Sequence, residues 1–268
     1  MAVVSRPKIT VSADTVSAVK VLEVTTSVTS GAEGFYSTDL VTWIKIEDVL
    51  QFTENGVYYF KAVNPTNGLE SSSYTTLEVN NIDNEAPTLE ITRDIEGLTN
   101  QDITLTANVS DGTVEYFDGS NWVVGSTLTV SQNGTYRFRV TDAAGNFTEK
   151  SVVTNDIDKD PPTLEVTGNA TDWTTERVTL TATASDGTIE YYDGYYWVTG
   201  DTLTVSENGT YLFRVTDAAG NVTEKSVVVD KIDKVADLNI SHVLDGDNVT
   251  IFATSGEGTV EYYNGTEW

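Results

Sequence analysis

The stretch Asn133-Gly134-Thr135-Tyr136-Arg137-Phe138-Arg139-Val140-Thr141-Asp142-Ala143-Ala144-Gly145-Asn146 returns 75 residues later as Asn208-Gly209-Thr210-Tyr211-Leu212-Phe213-Arg214-Val215-Thr216-Asp217-Ala218-Ala219-Gly220-Asn221. Each copy reads turn, alternating strand, turn. An Asn-Gly pair opens it, aromatic and β-branched residues follow at every second position, and Asp-Ala-Ala-Gly-Asn closes it. Working outward, Asn84 to Glu90 (Asn-Glu-Ala-Pro-Thr-Leu-Glu) is matched by Lys159 to Glu165 (Lys-Asp-Pro-Pro-Thr-Leu-Glu) at the same offset. Asp111-Gly112-Thr113-Val114-Glu115-Tyr116-Phe117-Asp118-Gly119 is likewise matched by Asp186-Gly187-Thr188-Ile189-Glu190-Tyr191-Tyr192-Asp193-Gly194. A fixed period of this size marks a repeat architecture. The chain therefore divides into a divergent unit at 1–83, two full units at 84–158 and 159–234, and a half unit at 235–268 that ends at Glu261-Tyr262-Tyr263-Asn264-Gly265-Thr266-Glu267-Trp268.

Within residues 159–234 the period-two pattern predicts seven strands: 164–166, 177–184, 188–192, 196–198, 202–205, 211–215 and 222–229. Thr and Val are frequent throughout, as strand-forming surfaces require. Seven short strands joined by tight turns would leave one flat sheet with a bare face. Two sheets packed together solve this, so the expected fold class is all-β, a tandem array of β-sandwiches of about 75 residues. The Trp after the central hairpin (Trp122, Trp197) is expected to plug the core.

The 268 residues carry 15 basic and 41 acidic side chains, a formal charge of −26, and no cysteine. A field of that sign disfavours nucleic acid and anionic membranes as partners. Without cysteine there is no disulfide framework, so packing has to supply the stability. No stretch has the roughly 18 consecutive apolar residues of a membrane span, and the first residues lack a signal-peptide core.

These repeats resemble bacterial immunoglobulin-like domains that occur in tandem in large surface adhesins and cell-wall proteins. The resemblance rests on Asn-Gly-Thr-Tyr-x-Phe-Arg-Val-Thr-Asp-Ala-Ala-Gly-Asn followed by an Ile-Asp linker and Pro. It covers both full units and part of the flanking two. It implies an immunoglobulin-like sandwich, an extracellular, cell-surface location, and a structural role as spacer or stalk, or as an adhesive module. Its partners would be neighbouring domains of a longer chain, neighbouring subunits, or a host or cell-surface glycan or protein. The first unit departs from the pattern, with Asn64-Pro65-Thr66-Asn67-Gly68 in place of the Asp-Ala-Ala-Gly-Asn turn.

Three chemistries compete for the conspicuous residues. No enzyme is expected: the chain has one His and no Cys, and acids duplicated in every unit do not resemble a site that occurs once. Calcium is the sharper expectation. The second-to-third and sixth-to-seventh strand turns fall at the end of the sandwich where the linker enters. That gathers Asp186, Asp217 and Asn221 with Asp156, Asp158 and Asp160, and one unit earlier Asp111, Asp142 and Asn146 with Asp83 and Glu85. Hard oxygens converging on a joint suit Ca²⁺, although Asp-Gly and Asp-Ala-Ala-Gly-Asn are also ordinary turn formers.

Ligand binding is the third reading. Tyr191, Tyr192 and Trp197 recur as Tyr116, Phe117 and Trp122, and again as Tyr262, Tyr263 and Trp268, so packing explains them. Tyr195 and Tyr196 replace Ser120 and Asn121 and are the candidate exposed binding pair. The half unit also leaves open a subunit of a surface filament or layer, completed by a neighbouring chain. Nine Asn-x-Ser/Thr sequons, including those at Asn133 and Asn208, fall mostly at turns.

Overall fold

A computed structural model describes residues 5–233, 238–255, 259–264 and 266–267. Val235, where the half unit begins, and Trp268 lie outside the described residues. The described elements are all strands, and the chain forms two compact units, Met1–Gly97 with Gln101–Ile157 and Leu98–Asn100 with Asp158–Trp268.

Unit 1 begins with β1 (Ile9–Ser12), β2 (Leu22–Val28), β3 (Glu33–Ser37), β4 (Ile44–Lys45), β5 (Leu50–Phe52), β6 (Gly56–Val63) and β7 (Thr75–Val79). They make a three-stranded sheet ordered β1-β2-β5 and a four-stranded sheet ordered β4-β3-β6-β7. The same connectivity is repeated by β8 (Leu89–Arg93), β9 (Ile103–Val109), β10 (Thr113–Phe117), β11 (Trp122–Val124), β12 (Thr127–Val130), β13 (Gly134–Thr141) and β14 (Phe147–Thr154). In unit 2 it recurs in β15 (Leu164–Thr167), β16 (Val178–Ala184), β17 (Thr188–Tyr192), β18 (Trp197–Thr199), β19 (Thr202–Val205), β20 (Gly209–Thr216) and β21 (Val222–Val229). All strand pairs are antiparallel, and three strands packed on four in this order is an immunoglobulin-like sandwich. Beyond it, β22 (Leu238–Asp245) and β23 (Asn248–Ser255) form a two-stranded ladder exposed almost throughout.

Each sandwich buries one core drawn from both sheets. Ile103, Leu105 and Val130 meet Phe138 and Val140 in the second; Val178, Leu180 and Val205 meet Phe213, Val215 and Val229 in the third. In the first, Phe52 stacks on Tyr58 with ring centroids 3.6 Å apart, above the fully buried Phe60. The tyrosine that follows the Asn-Gly turn ties each corner down. The hydroxyls of Tyr58, Tyr136 and Tyr211 donate to the carbonyls of Glu54, Gln132 and Glu207, each at 2.7 Å. A tyrosine at the start of this strand, bonded a few residues upstream, is a signature of immunoglobulin-like sandwiches.

The expectation that Trp122 and Trp197 plug the core is corrected. Trp122 pairs with Phe117 and Trp197 with Tyr192 across the β10–β11 and β17–β18 hairpins. Successive strand residues point to opposite faces. Tyr116 and Tyr191 pack against the cores, so Phe117, Tyr192 and both tryptophans take the outer face of the four-stranded sheet. There an arginine covers each ring: Arg139 lies 4.4 Å from the Trp122 centroid and Arg214 lies 4.3 Å from Trp197. Glu115 and Glu190 hold those guanidiniums at 2.6 and 2.7 Å. The large rings are sheltered by cation–π contact instead of burial.

Candidate functional site: the linkers and the exposed hairpin

The exit linker of every sandwich is bound twice by the body it leaves. Its isoleucine (Ile82, Ile157, Ile232) drops its side chain into the core, between 6% and 8% exposed. That leaves a buried peptide N–H and C=O which need partners. The asparagine of the Asn-Gly turn supplies both. The Asn55 carboxamide accepts from Ile82 N at 2.8 Å and donates to Ile82 O at 2.8 Å. Asn133 grips Ile157 at 2.9 and 2.7 Å, and Asn208 grips Ile232 at 2.9 Å on both sides. A parallel bridge reinforces the grip, between Val19 and Ile82 and between Thr174 and Ile232.

The next residue is held from two directions. Asp83 donates its N–H to Val19 O at 2.9 Å, and its carbonyl accepts from Asn146 Nδ2 at 3.0 Å. Both partners belong to unit 1, one to each of its two sandwiches. Thr148 Oγ1 then donates to Pro87 O at 2.6 Å. Unit 2 contains the same set: Asp158 N to Thr99 O at 2.8 Å, Asn221 Nδ2 to Asp158 O at 3.0 Å, and Thr223 Oγ1 to Pro162 O at 2.6 Å.

Asn146 is aimed by Asp142, whose carboxylate accepts from Asn146 N at 2.8 Å and from its Nδ2 at 2.9 Å. Burial pushes the Asp142 carboxyl up, but hydrogen bonds from Asn146, Ala144 and Gly145 outweigh it and hold the group below its ordinary value. Asp217 is held down in the same way by Asn221, Gly220 and Ala219 against the same burial. The Asp111-Gly112 turn does lie beside Asp142. At Gly112, φ is +90°, and a Cβ would come 2.6 Å from Thr141 O and 3.1 Å from Asp142 N. Gly187 stands likewise against Thr216 and Asp217.

The acids singled out for calcium are thus partly brought together. Asp83, Asp111, Asp142 and Asn146 share one end, as do Asp158, Asp186, Asp217 and Asn221. Asp156 turns away and pairs with Arg93. Asp83 and Asp158 cap the backbone N–H of Glu85 and Asp160, both at 3.0 Å. Among the described residues, no three Asp, Glu or His side chains converge closely enough to hold a metal ion as they stand.

Tyr195 and Tyr196 are 83% and 75% exposed. Asp193 Oδ1 accepts both of their backbone N–H groups at 2.8 Å, fixing the turn that presents them. The N–H groups of Tyr196 and Tyr195 hold the Asp193 carboxyl below its ordinary value. No helix among the described residues is long and apolar enough to cross a membrane.

No family model matches the chain, and no curated protein matches it. Among solved structures it is similar to a 1.5-MDa bacterial ice-binding adhesin studied for its retention on the host cell surface, at 14% identity and a TM-score of 0.42, covering 86% of this chain and 99% of that one. It is also similar to Escherichia coli alpha-2-macroglobulin in its native form (8% identity, TM-score 0.20, 94% of this chain, 25% of that one). For the elastase-activated form the figures are 11% identity, a TM-score of 0.22, 89% of this chain and 34% of the other.

Proposed function

We propose that this chain is a stretch of an extracellular stalk, whose sandwiches act as spacers in a bacterial surface protein. One observation carries the reading: Asp83 is hydrogen-bonded through its N–H to the sandwich it leaves and through its carbonyl to the sandwich it enters. A flexible tether would leave such a residue in water; here Ile82, Asp83 and Pro87 are each committed to a protein partner. Pro87 further restricts itself and Ala86. A spacer needs joints that resist bending, and this one has bonds to both sides within a few residues.

The absence of native cysteine permits a direct test. Spin labels on Thr42→Cys and Ser120→Cys, at exposed positions in the two sandwiches of unit 1, report the spread of distances across the joint. A narrow distribution that broadens in Asn146→Ala supports the proposal, and a broad one in the parent chain defeats it.

Calcium is proposed as a reinforcement of the same joints. An ion there would have to draw Asp83 and Asp142 away from the turn bonds they now make. A rise in melting temperature at millimolar Ca²⁺ that EDTA reverses would support it, and no change would dismiss it.

A further inference from the structure

The two full repeats present the same outer sheet face with different coverings. In the second sandwich, Arg137 lies 5.3 Å from the Phe117 ring and 5.2 Å from Trp122, and its Nε bonds Glu149 Oε1 at 2.9 Å. That ion pair roofs the aromatic pair. In the third sandwich the equivalent residue is Leu212. Arg137 stands opposite Ser151 in its ladder, and Leu212 stands opposite Ser226. Leu212 is 37% exposed, so Tyr192 and Trp197, with centroids 5.6 Å apart, lack the second guanidinium that Arg137 supplies and keep only Arg214, 4.3 Å from the Trp197 centroid.

The hairpin at the edge of that face changes in the same sense. Asp118 caps Ser120 N at 2.8 Å and Asn121 N at 2.7 Å, the turn that Asp193 forms with Tyr195 and Tyr196. The backbone device is identical, so folding does not demand the two tyrosines. Three differences between otherwise closely similar repeats all add apolar or aromatic surface, one on that face and two in the turn of its edge hairpin, and those two are among the most exposed rings in the described residues.

We infer that Tyr192, Trp197 and Leu212 on the outer face of the four-stranded sheet in the third sandwich, with Tyr195 and Tyr196 in the turn that joins β17 to β18, bind a neutral oligosaccharide. The choice of occupant follows from size and charge. A handful of side chains is small against the roughly 800 Å² per partner of a stable protein interface. A pyranose ring needs only one or two aromatic faces for its C–H side. Tyrosine also offers a hydroxyl for the sugar's hydroxyls, at low conformational cost. Arg214, over the Trp197 ring at 4.3 Å and paired with Glu190 at 2.7 Å, adds charged hydrogen-bonding groups next to the rings. A chain of formal charge −26 repels sialylated or sulfated glycans, which selects neutral ones.

The test applies the fluorescently labelled full chain to an array of glucose-, galactose- and mannose-terminated glycans alongside sialylated and sulfated ones. The triple variant Tyr195→Ser, Tyr196→Asn, Leu212→Arg restores the residues of the second sandwich and so keeps a surface this fold already carries. Retention of neutral glycans by the parent chain is expected. The triple variant should bind at least about tenfold more weakly, the size of loss that two ring-stacking contacts account for, with its melting temperature unchanged. Retention of no neutral glycan, preference for the anionic ones, or equal retention by the triple variant would overturn the inference.

Discussion

Replacing Asn55 by Ala removes both arms of the grip on Ile82 and nothing else of consequence. The two bonds, each 2.8 Å, satisfy a peptide group whose residue is 8% exposed. Each is worth about 1 kcal/mol net, and the methyl group of alanine can replace neither, so the strap from Asn81 to Asp83 should open about 2 kcal/mol more easily. Its remaining ties are Val19 N to Asn81 O at 3.0 Å, Asp83 N to Val19 O at 2.9 Å, Asn81 Nδ2 to Asp14 O and Ser17 O at 3.1 and 2.6 Å, and Asn146 Nδ2 to Asp83 O at 3.0 Å, all of which depend on the strap lying in place. Local opening governs amide exchange in such a segment, and about 2 kcal/mol corresponds to roughly a 30-fold faster rate. Hydrogen–deuterium exchange of the intact chain, read by mass spectrometry on a peptide spanning 80–84, measures it directly. Amides of β2 and β6 in the same sandwich serve as the reference for global stability. If the 80–84 peptide exchanges within threefold of the parent rate, the asparagine is only a turn former and the account of the joint is wrong.

Further outcomes follow from the same structure. Phe213→Ala empties a fully buried position and should cost about 3–5 kcal/mol, enough to make the third sandwich marginal; limited trypsinolysis should then cut within β20 and β21 while Arg137 and Arg139 in β13 stay protected. Gly112→Ala forces a Cβ to within 2.6 Å of Thr141 O at φ +90° and should lose more than about 2 kcal/mol, whereas Gly145→Ala, at φ +83° with open space around it, should lose about 1, as measured by thermal unfolding. Asp142 has a folded value below its unfolded one, so its stabilisation is complete above the unfolded value and fades as pH falls through the folded one. The gap in melting temperature between the parent and Asp142→Asn should accordingly be constant from neutral pH to about pH 5 and shrink below about pH 4; a gap that widens on acidification would refute it.

The strands were legible because alternation is a local property. Expected at 177–184 and 196–198, the two strands run Val178–Ala184 and Trp197–Thr199, and β21 coincides with its expected span. The same alternation placed Trp197 outside. Ile189 and Tyr191 share a face, Tyr192 takes the other, and Trp197 pairs with Tyr192. The buried tryptophan common to immunoglobulin-like sandwiches suggested burial, because the sequence does not reveal which cation will lie over it. Arg214 comes from β20, opposite Glu190, and that register is set only once the sheet forms. The grip on the linker was illegible for a related reason. Asn133 and Ile157 are 24 residues apart, and an Asn-Gly pair reads locally as a turn. The recurrence of both residues at the same separation in the third sandwich, Asn208 with Ile232, is the signal that could have found them.

The arrangement also explains why these residues travel together. An isoleucine buried at the end of a sandwich would carry an unsatisfied peptide group into the core, at about 1–3 kcal/mol for the buried donor alone. The turn asparagine removes that cost, and the linker is thereby fixed in direction as well as in position. Once Ile82 is fixed, the carbonyl of Asp83 points where the next sandwich can reach it, and Asn146, aimed by Asp142, does so. A change at Asn55 therefore acts on the following joint, while a change at Asn146 leaves the preceding grip intact. Asn55→Ala should broaden the distance distribution between labels at 42 and 120 as much as Asn146→Ala does, and combining the two should add little. Additive broadening would mean that the two asparagines act independently and that the joint is not a single chain of bonds.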